Sequence, residues 1–169
     1  LVLEIAALSS PALAPGRYVY CGSAYGPGGP RARIARHLKK DKSPRWHVDR
    51  LTLAGHVSRI AVLRGGSECA LMAGLRTLPG VSLPVAGFGS SDCRVCPAHL
   101  AAVPDNFDIE AFISGFRRQL DRVRVRAQTG HRPNSQERRG AMRSERPRTA
   151  LDSVPQTNPT ATLLVSNAA

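Results

Sequence analysis

Arg17-Tyr18-Val19-Tyr20-Cys21-Gly22-Ser23-Ala24 is the stretch on which the fold turns. Aromatic and β-branched residues ending in a glycine read as a strand that runs into a loop. Side chains alternate along a strand, so Tyr18, Tyr20 and Gly22 share one face while Arg17, Val19 and Cys21 share the other. The loop, residues 22–30, holds four glycines and two prolines. Beyond it, residues 31–40 place Ile34, Ala35 and Leu38 at helical spacing, which predicts a basic amphipathic helix with Ile34 and Leu38 on its buried stripe. Arg33 and His37 stand one turn apart on an adjoining face, with Lys40 a further turn along. Two phenols, a glycine loop and a helix that offers a guanidinium and an imidazole form a surface suited to an anion.

Upstream, residues 1–8 are apolar and residues 9–16 carry Pro11, Pro15 and Gly16, a pattern that predicts strand, turn, strand. Ala12-Leu13-Ala14 resembles a signal-peptide cleavage site, but Glu4 and the lack of a basic leading region argue against one. Without an initiator Met, the chain is expected to be a fragment or a mis-started reading frame. Downstream, Ser43 and Pro44 predict the cap of a short helix bearing Trp46, Val48 and Leu51. A strand is expected over 57–63, a helix over 68–78 and another strand over 81–88. Asp105 is expected to cap a last helix whose apolar positions are Ile109, Phe112, Ile113, Phe116 and Leu120. This succession predicts an α+β fold, a small mixed sheet flanked by helices, with a domain over 1–116. Residues 117–169 read as a helix end followed by a disordered basic tail.

The 169 residues carry 24 Lys and Arg against 12 Asp and Glu, a net charge of +12, so nucleic acid is the leading partner. Eleven of the basic and four of the acidic residues lie from Arg117 onward, which assigns seven of those twelve net charges to the tail. Within residues 31–50, Arg31, Arg33, Arg36, Lys39, Lys40, Lys42, Arg45 and Arg50 face only Asp41 and Asp49. A solvated helix face explains part of this excess, and phosphate binding explains its single sign. Trp46-His47-x-Asp49 reads either as a base-stacking platform or as a core tryptophan beside a satisfied histidine. No run of 18 apolar residues exists, so no membrane span is expected, and four cysteines fit reduced thiols in a cytoplasm.

Hydrolysis of a phosphodiester needs a group to align water, a cation to neutralise the phosphorane oxygens and, often, a metal held by a carboxylate. Glu68 is the candidate carboxylate, although acidic residues are also favoured in a first helical turn by the dipole alone. Asp92-Cys93-x-x-Cys96-x-x-His99, with Cys69 as a fourth member, has the spacing of a closed zinc site. The same cysteines also read as small buried hydrophobes, the reading preferred from the sequence, or as a redox pair.

Taken together, Tyr18-Val19-Tyr20-Cys21-Gly22-Ser23-Ala24, Arg33-x-x-x-His37, Trp46-His47-Val48-Asp49, Glu68-Cys69 and Phe88-Gly89-Ser90-Ser91-Asp92-Cys93 with His99-Leu100 resemble, in order and spacing, the Uri-type branch of the GIY-YIG nuclease superfamily. The resemblance covers roughly residues 1–100. It implies metal-dependent DNA cleavage in a prokaryotic cytoplasm, and DNA repair, because relatives are sometimes fused to endonuclease III-like glycosylases. It assigns catalysis to Tyr20, Arg33, His37 and Glu68, with Mg²⁺ or Mn²⁺ on Glu68. DNA contacts fall to Tyr18, Gly22, Arg31, Arg36, Lys39, Lys40, Trp46 and His47. The partners implied are DNA and a repair glycosylase. One departure stands out: the first signature triad should precede Tyr18, yet residues 1–10 contain no Gly-x-Tyr. Its tyrosine is the superfamily's water-activating group, so the alternative expectation is an inactive nucleic-acid-binding module.

Overall fold

The tyrosine-bearing segment is a strand, β1 (Gly16–Ser23), in the computed structural model, which describes residues 1–25, 27–129 and 160–168. The elements that follow are α1 (Gly29–Leu38), α2 (His47–Ala54), β2 (His56–Arg64), α3 (Glu68–Arg76), β3 (Leu100–Val103), α4 (Ile109–Thr129) and β4 (Thr160–Ala168). The strands form one sheet in the order β2-β4-β1-β3. The class is α+β as expected. Every pairing between the named strands is antiparallel, so the sheet is not mixed; each strand enters it from the opposite end to its neighbour. Tyr18 stands opposite Ala102 and Tyr20 opposite Leu100.

Alternation along β1 divides the core in two. Val19 and Cys21 join Leu71, Met72 and Leu75 of α3 and Ile109, Ile113 and Phe116 of α4 on one face. Tyr18 and Tyr20 join Leu3, Ile5, Leu13, Val48, Leu51, Val85 and Phe88 on the other. Both faces of β1 are therefore covered, which is why its sequence is apolar at consecutive positions. Each fully buried Leu or Phe contributes about 1.5–3 kcal/mol relative to exposure.

Several elements differ from the sequence-based expectation. Residues 1–8 are not a strand: a lone bridge joins Val2 to Ala12, Ala6–Leu8 is a single 3-10 turn, and Ser9 and Ser10 take positive φ. Pro11 and Pro15 lack the N–H donors that a ladder beside β1 requires. The segment instead tucks Leu3, Ile5 and Leu13 against the tyrosine face. Residues 81–88 contribute only a bridge from Ser82 to Ala102, because Pro84 breaks the run. Conversely, β3 carries two alanines in four residues, weak strand formers that gave no signal. Asp108, not Asp105, caps α4, its Oδ1 accepting from the N–H of Glu110 and Ala111 at 3.0 Å each. Trp46, not Ser43, is the residue before α2, whose Asp49 accepts at Oδ2 from the N–H of Arg45 (2.9 Å) and Trp46 (3.1 Å). Leu38, expected on a buried stripe, is 48% exposed; with Ile34 of α1, Val62 of β2 and Leu120 of α4 it lines a groove of about 910 Å³.

The largest difference lies in the segment read as a disordered tail. α4 continues to Thr129, and β4 enters the sheet between β1 and β2; residues 130–159 and 169 of that segment lie outside the described residues. Nine residues cannot form a strand alone, but both edges of β4 are paired, Gly16 to Ser23 on one side and His56 to Arg64 on the other. A chain ended after residue 129 should therefore leave β1 and β2 with facing, unpaired edges. Its unfolding midpoint should fall by on the order of 10 °C, with aggregation, in circular dichroism melts and gel filtration against the full chain. Identical melts and a monomeric profile would contradict the position of β4.

Candidate active site

The carboxylate of Asp49, fully buried near the start of α2, gathers the segment around it. Arg36 of α1 lies 2.9 Å from Oδ2, Lys42 lies 3.3 Å from Oδ1, and His37 Nδ1 lies 3.5 Å from Oδ1. Burial alone would raise this carboxyl, but the N–H groups of Arg45 and Trp46 and the Lys42 ammonium outweigh it and hold the group at about 2. Lys42 also donates to the carbonyls of Arg36 (3.0 Å) and His37 (2.7 Å), closing the end of α1. Lys40 does the same for α2, donating to the carbonyls of Thr52 at 2.6 Å and Gly55 at 2.7 Å. Unpaired carbonyls at a helix end attract cations, so these lysines are helix-closing groups.

This scaffold sets the aromatic wall of a cleft. Two guanidinium groups lie over the Trp46 ring, Arg33 at 4.7 Å and Arg36 at 4.8 Å from its centre. His37 sits behind it, edge-on to Trp46 at 5.7 Å and to Tyr20 at 6.4 Å. Burial drops His37 to about 4, with Arg33 adding to the effect and Asp49 opposing it, so the ring is neutral at pH 7. His47 rests on Phe88 at 5.5 Å, and its Nδ1 accepts from the Gly89 N–H at 3.0 Å. A backbone N–H can only donate, so in the neutral ring the proton is on Nε2.

Two adjoining hollows form the cleft. One, of about 340 Å³, is lined by Tyr20, Gly22, Ser23, Arg33, Glu68, Gly89, Asp92, Cys93, Arg94 and His99. The other, of about 400 Å³, shares Tyr20, Arg33 and Asp92 and adds Arg45, Trp46 and His47. Burial pushes the Tyr20 phenol up to about 12, against the pull of Arg33. The glycines here have a steric reason. A Cβ on Gly22 would lie 2.8 Å from Tyr20 Cε1, and one on Gly89, whose φ is +68°, would lie 2.6 Å from Tyr20 Cε2. Ser67 caps α3 by accepting from the Ala70 N–H at 3.1 Å, which places Glu68 in the first turn with no ion pair among the described residues.

Of the residues singled out by sequence, Tyr20, Arg33 and Glu68 converge in the first hollow, with Gly22 in its wall, and Trp46 and His47 border the second. His37 supports that wall from behind. Tyr18 is 3% exposed, its hydroxyl donating to Ala14 O at 2.6 Å, so it is a core residue. Arg36 is committed to Asp49 and Trp46, and Lys40 to the end of α2. Arg31 borders the groove beside α4, and Lys39 an outer hollow with Arg45, both away from Tyr20. Asp92, named in the sequence only within the Asp92-Cys93-x-x-Cys96-x-x-His99 motif, and Arg94, not singled out at all, also line the first hollow; the signal for both was adjacency to Cys93.

Cys69, Cys93, Cys96 and His99 also come together, one donor atom from each lying within 4.8 Å of the others. Burial and its neighbour thiols push Cys69 up, while the N–H groups of Cys96 and Val95 bring Cys93 down. Cys21 is fully buried in the apolar core against which Cys96 packs, and is no member of the cluster.

Acid should destabilise the fold in two stages. His37 is depressed below its ordinary value, so its contribution is complete above pH 6.5 and is lost as pH falls towards 4. Asp49 is depressed too, and its contribution is lost between about pH 4 and 2. Denaturant titrations should show stability falling by up to about 3 kcal/mol from the histidine alone. His37→Phe should remove most of the first stage, His47, also depressed by burial, keeping a smaller share, and should leave the second; an unchanged profile between pH 6.5 and 4 would contradict the buried neutral ring.

No described helix is long and apolar enough to cross a membrane. No curated protein and no solved structure matches the chain. A family model does match, over residues 1–122, a span that includes β1, the whole cleft and the cysteine cluster and stops within α4. The chain belongs to the family described as domain of unknown function DUF123.

Proposed function

We propose that the cleft hydrolyses DNA phosphodiester bonds with Mg²⁺ or Mn²⁺ held by Glu68. The observation that carries this reading is the meeting of Tyr20 from β1, Arg33 from α1 and Glu68 from α3 in one polar hollow. Oxygen donors suit these hard cations, and Glu68 and Asp92 supply two carboxylates to the same hollow. Bound there, the ion would polarise a phosphoryl oxygen and lower the pKa of a coordinated water. Arg33, held over Trp46, neutralises charge that develops on the phosphate, and Arg94 adds a second guanidinium at the rim. The Tyr20 hydroxyl stays protonated at pH 7, so it orients phosphate or water by hydrogen bonding and does not act as a ready base. His47, oriented by the Gly89 N–H at its Nδ1, borders the second hollow beside Trp46, where a DNA strand would pass.

A second reading, a nucleic-acid-binding module without catalysis, draws on one observation. The resemblance expects a tyrosine-bearing triad before Tyr18, yet residues 1–17 contain no tyrosine, and β4, the strand paired with β1 on one side, contains none either. Incubation of the full chain with linear and branched DNA and Mg²⁺ separates the two. The nuclease reading expects cutting that falls by about 100-fold or more in Arg33→Ala and Glu68→Ala. Salt-dependent binding without cutting in any divalent ion would favour the module, and cutting that survives both substitutions would remove the assignment of this cleft.

A further inference from the structure

We infer that Cys69, Cys93, Cys96 and His99 hold a single Zn²⁺ that clamps the irregular segment 77–99 onto the first turn of α3 and fixes one wall of the cleft. A tetrahedral ion with bonds of about 2.0–2.3 Å sets its ligand atoms on the order of 3.5–3.8 Å apart. Cys69 Sγ lies 3.5 Å from Cys93 Sγ and 3.8 Å from His99 Nε2, and all four donors fall within 4.8 Å of one another. One ion fits that spacing, whereas an iron–sulfur cluster would spread its thiolates further. Three soft thiolates and a borderline imidazole select zinc over the hard cations suited to Glu68.

The turn at Cys93 is shaped for a thiolate. Its Sγ accepts from the N–H groups of Val95 (3.4 Å) and Cys96 (3.3 Å), two donors aimed at the charged form that a metal requires. Cys21 supplies the contrast within the chain: fully buried among Val19, Leu71 and Met72, it behaves as a small hydrophobe, while the three clustered cysteines are only partly buried. Ligation would release the thiol protons to solvent, with nothing oxidised or reduced.

The segment has a need for such a clamp. Residues 77–99 contain no helix and no strand beyond the bridge at Ser82. They are tied to one another and to β1 by a few backbone bonds, among them Gly87 N–H to Pro97 O at 2.7 Å, His99 N–H to Phe88 O at 2.8 Å and Cys21 N–H to His99 O at 3.0 Å. Long irregular segments in compact domains are costly to order without a crosslink. The clamp also reaches the cleft directly. Glu68 precedes Cys69 and Asp92 precedes Cys93, so each cleft carboxylate is joined in sequence to a ligand.

Metal analysis of the full chain, purified reduced and without added metal, tests the site independently of any nuclease activity. About one zinc per chain is expected, and replacement by Co²⁺ should give thiolate charge-transfer and tetrahedral ligand-field absorption. Zinc content should fall by at least about tenfold in Cys93→Ser and Cys96→Ser, while Cys21→Ala keeps it. A reduced wild-type chain that holds no zinc and gives no cobalt spectrum, a native Cys69–Cys93 disulfide by mass spectrometry, or zinc retained when Cys93→Ser and Cys96→Ser are combined would overturn the proposal. Should the serine variants fail to fold, the wild-type cobalt spectrum alone decides. A zinc-loaded chain that cuts no DNA would count against the nuclease reading only.

Discussion

The carboxylate of Asp49 is the interaction on which the functional face depends. It accepts from two backbone N–H groups at the start of α2 and pairs with Arg36 and Lys42, so the end of α1, the turn after it and α2 become one body. Without that body, Trp46 would not lie against Arg33 and Arg36, and His37 would lose the enclosure that keeps it neutral. Breaking a buried ion pair from one side leaves the remaining charges uncompensated, at a cost of about 3–5 kcal/mol. The basic run 31–50 is thus built partly to satisfy one buried anion and two helix ends. Its surplus of cations overstates what is free to meet phosphate.

How far the sequence disclosed the fold follows from which signals are local. Alternation along β1 correctly separates Tyr18 and Tyr20 from Val19 and Cys21, because strand periodicity is a property of the strand itself. The helices at α1, α3 and α4 are legible from apolar spacing. Strand β4 was not, since its order comes from backbone groups of β1 and β2 more than a hundred residues away on one side and nearly as far on the other. Residues 1–8 misled for a related reason: an apolar run says that side chains are buried, not that the backbone is in a ladder.

The site was legible in part for the same physical reason. Arg33 and Glu68 could be named from residue type and position, and both reach the cleft. Spacing could not tell a surface lysine from one folded back on a carbonyl, as Lys40 is, nor a lining tyrosine from a core one, as Tyr18 is. Asp92 and Arg94 enter the cleft only because the cysteine turn that carries them packs beside α3.

Two donor sets of opposite character lie side by side on that turn, oxygen at Glu68 and Asp92 and sulfur at Cys69, Cys93 and Cys96. The oxygen set suits the hard cation of the proposed chemistry, and the sulfur set the fixed zinc. Electron paramagnetic resonance of Mn²⁺ titrated into the zinc-loaded chain tests this division most directly. Bound Mn²⁺ is expected in the wild type and its loss in Glu68→Gln, with the zinc retained. Mn²⁺ bound equally well by both chains would contradict the placement of the cleft metal on Glu68.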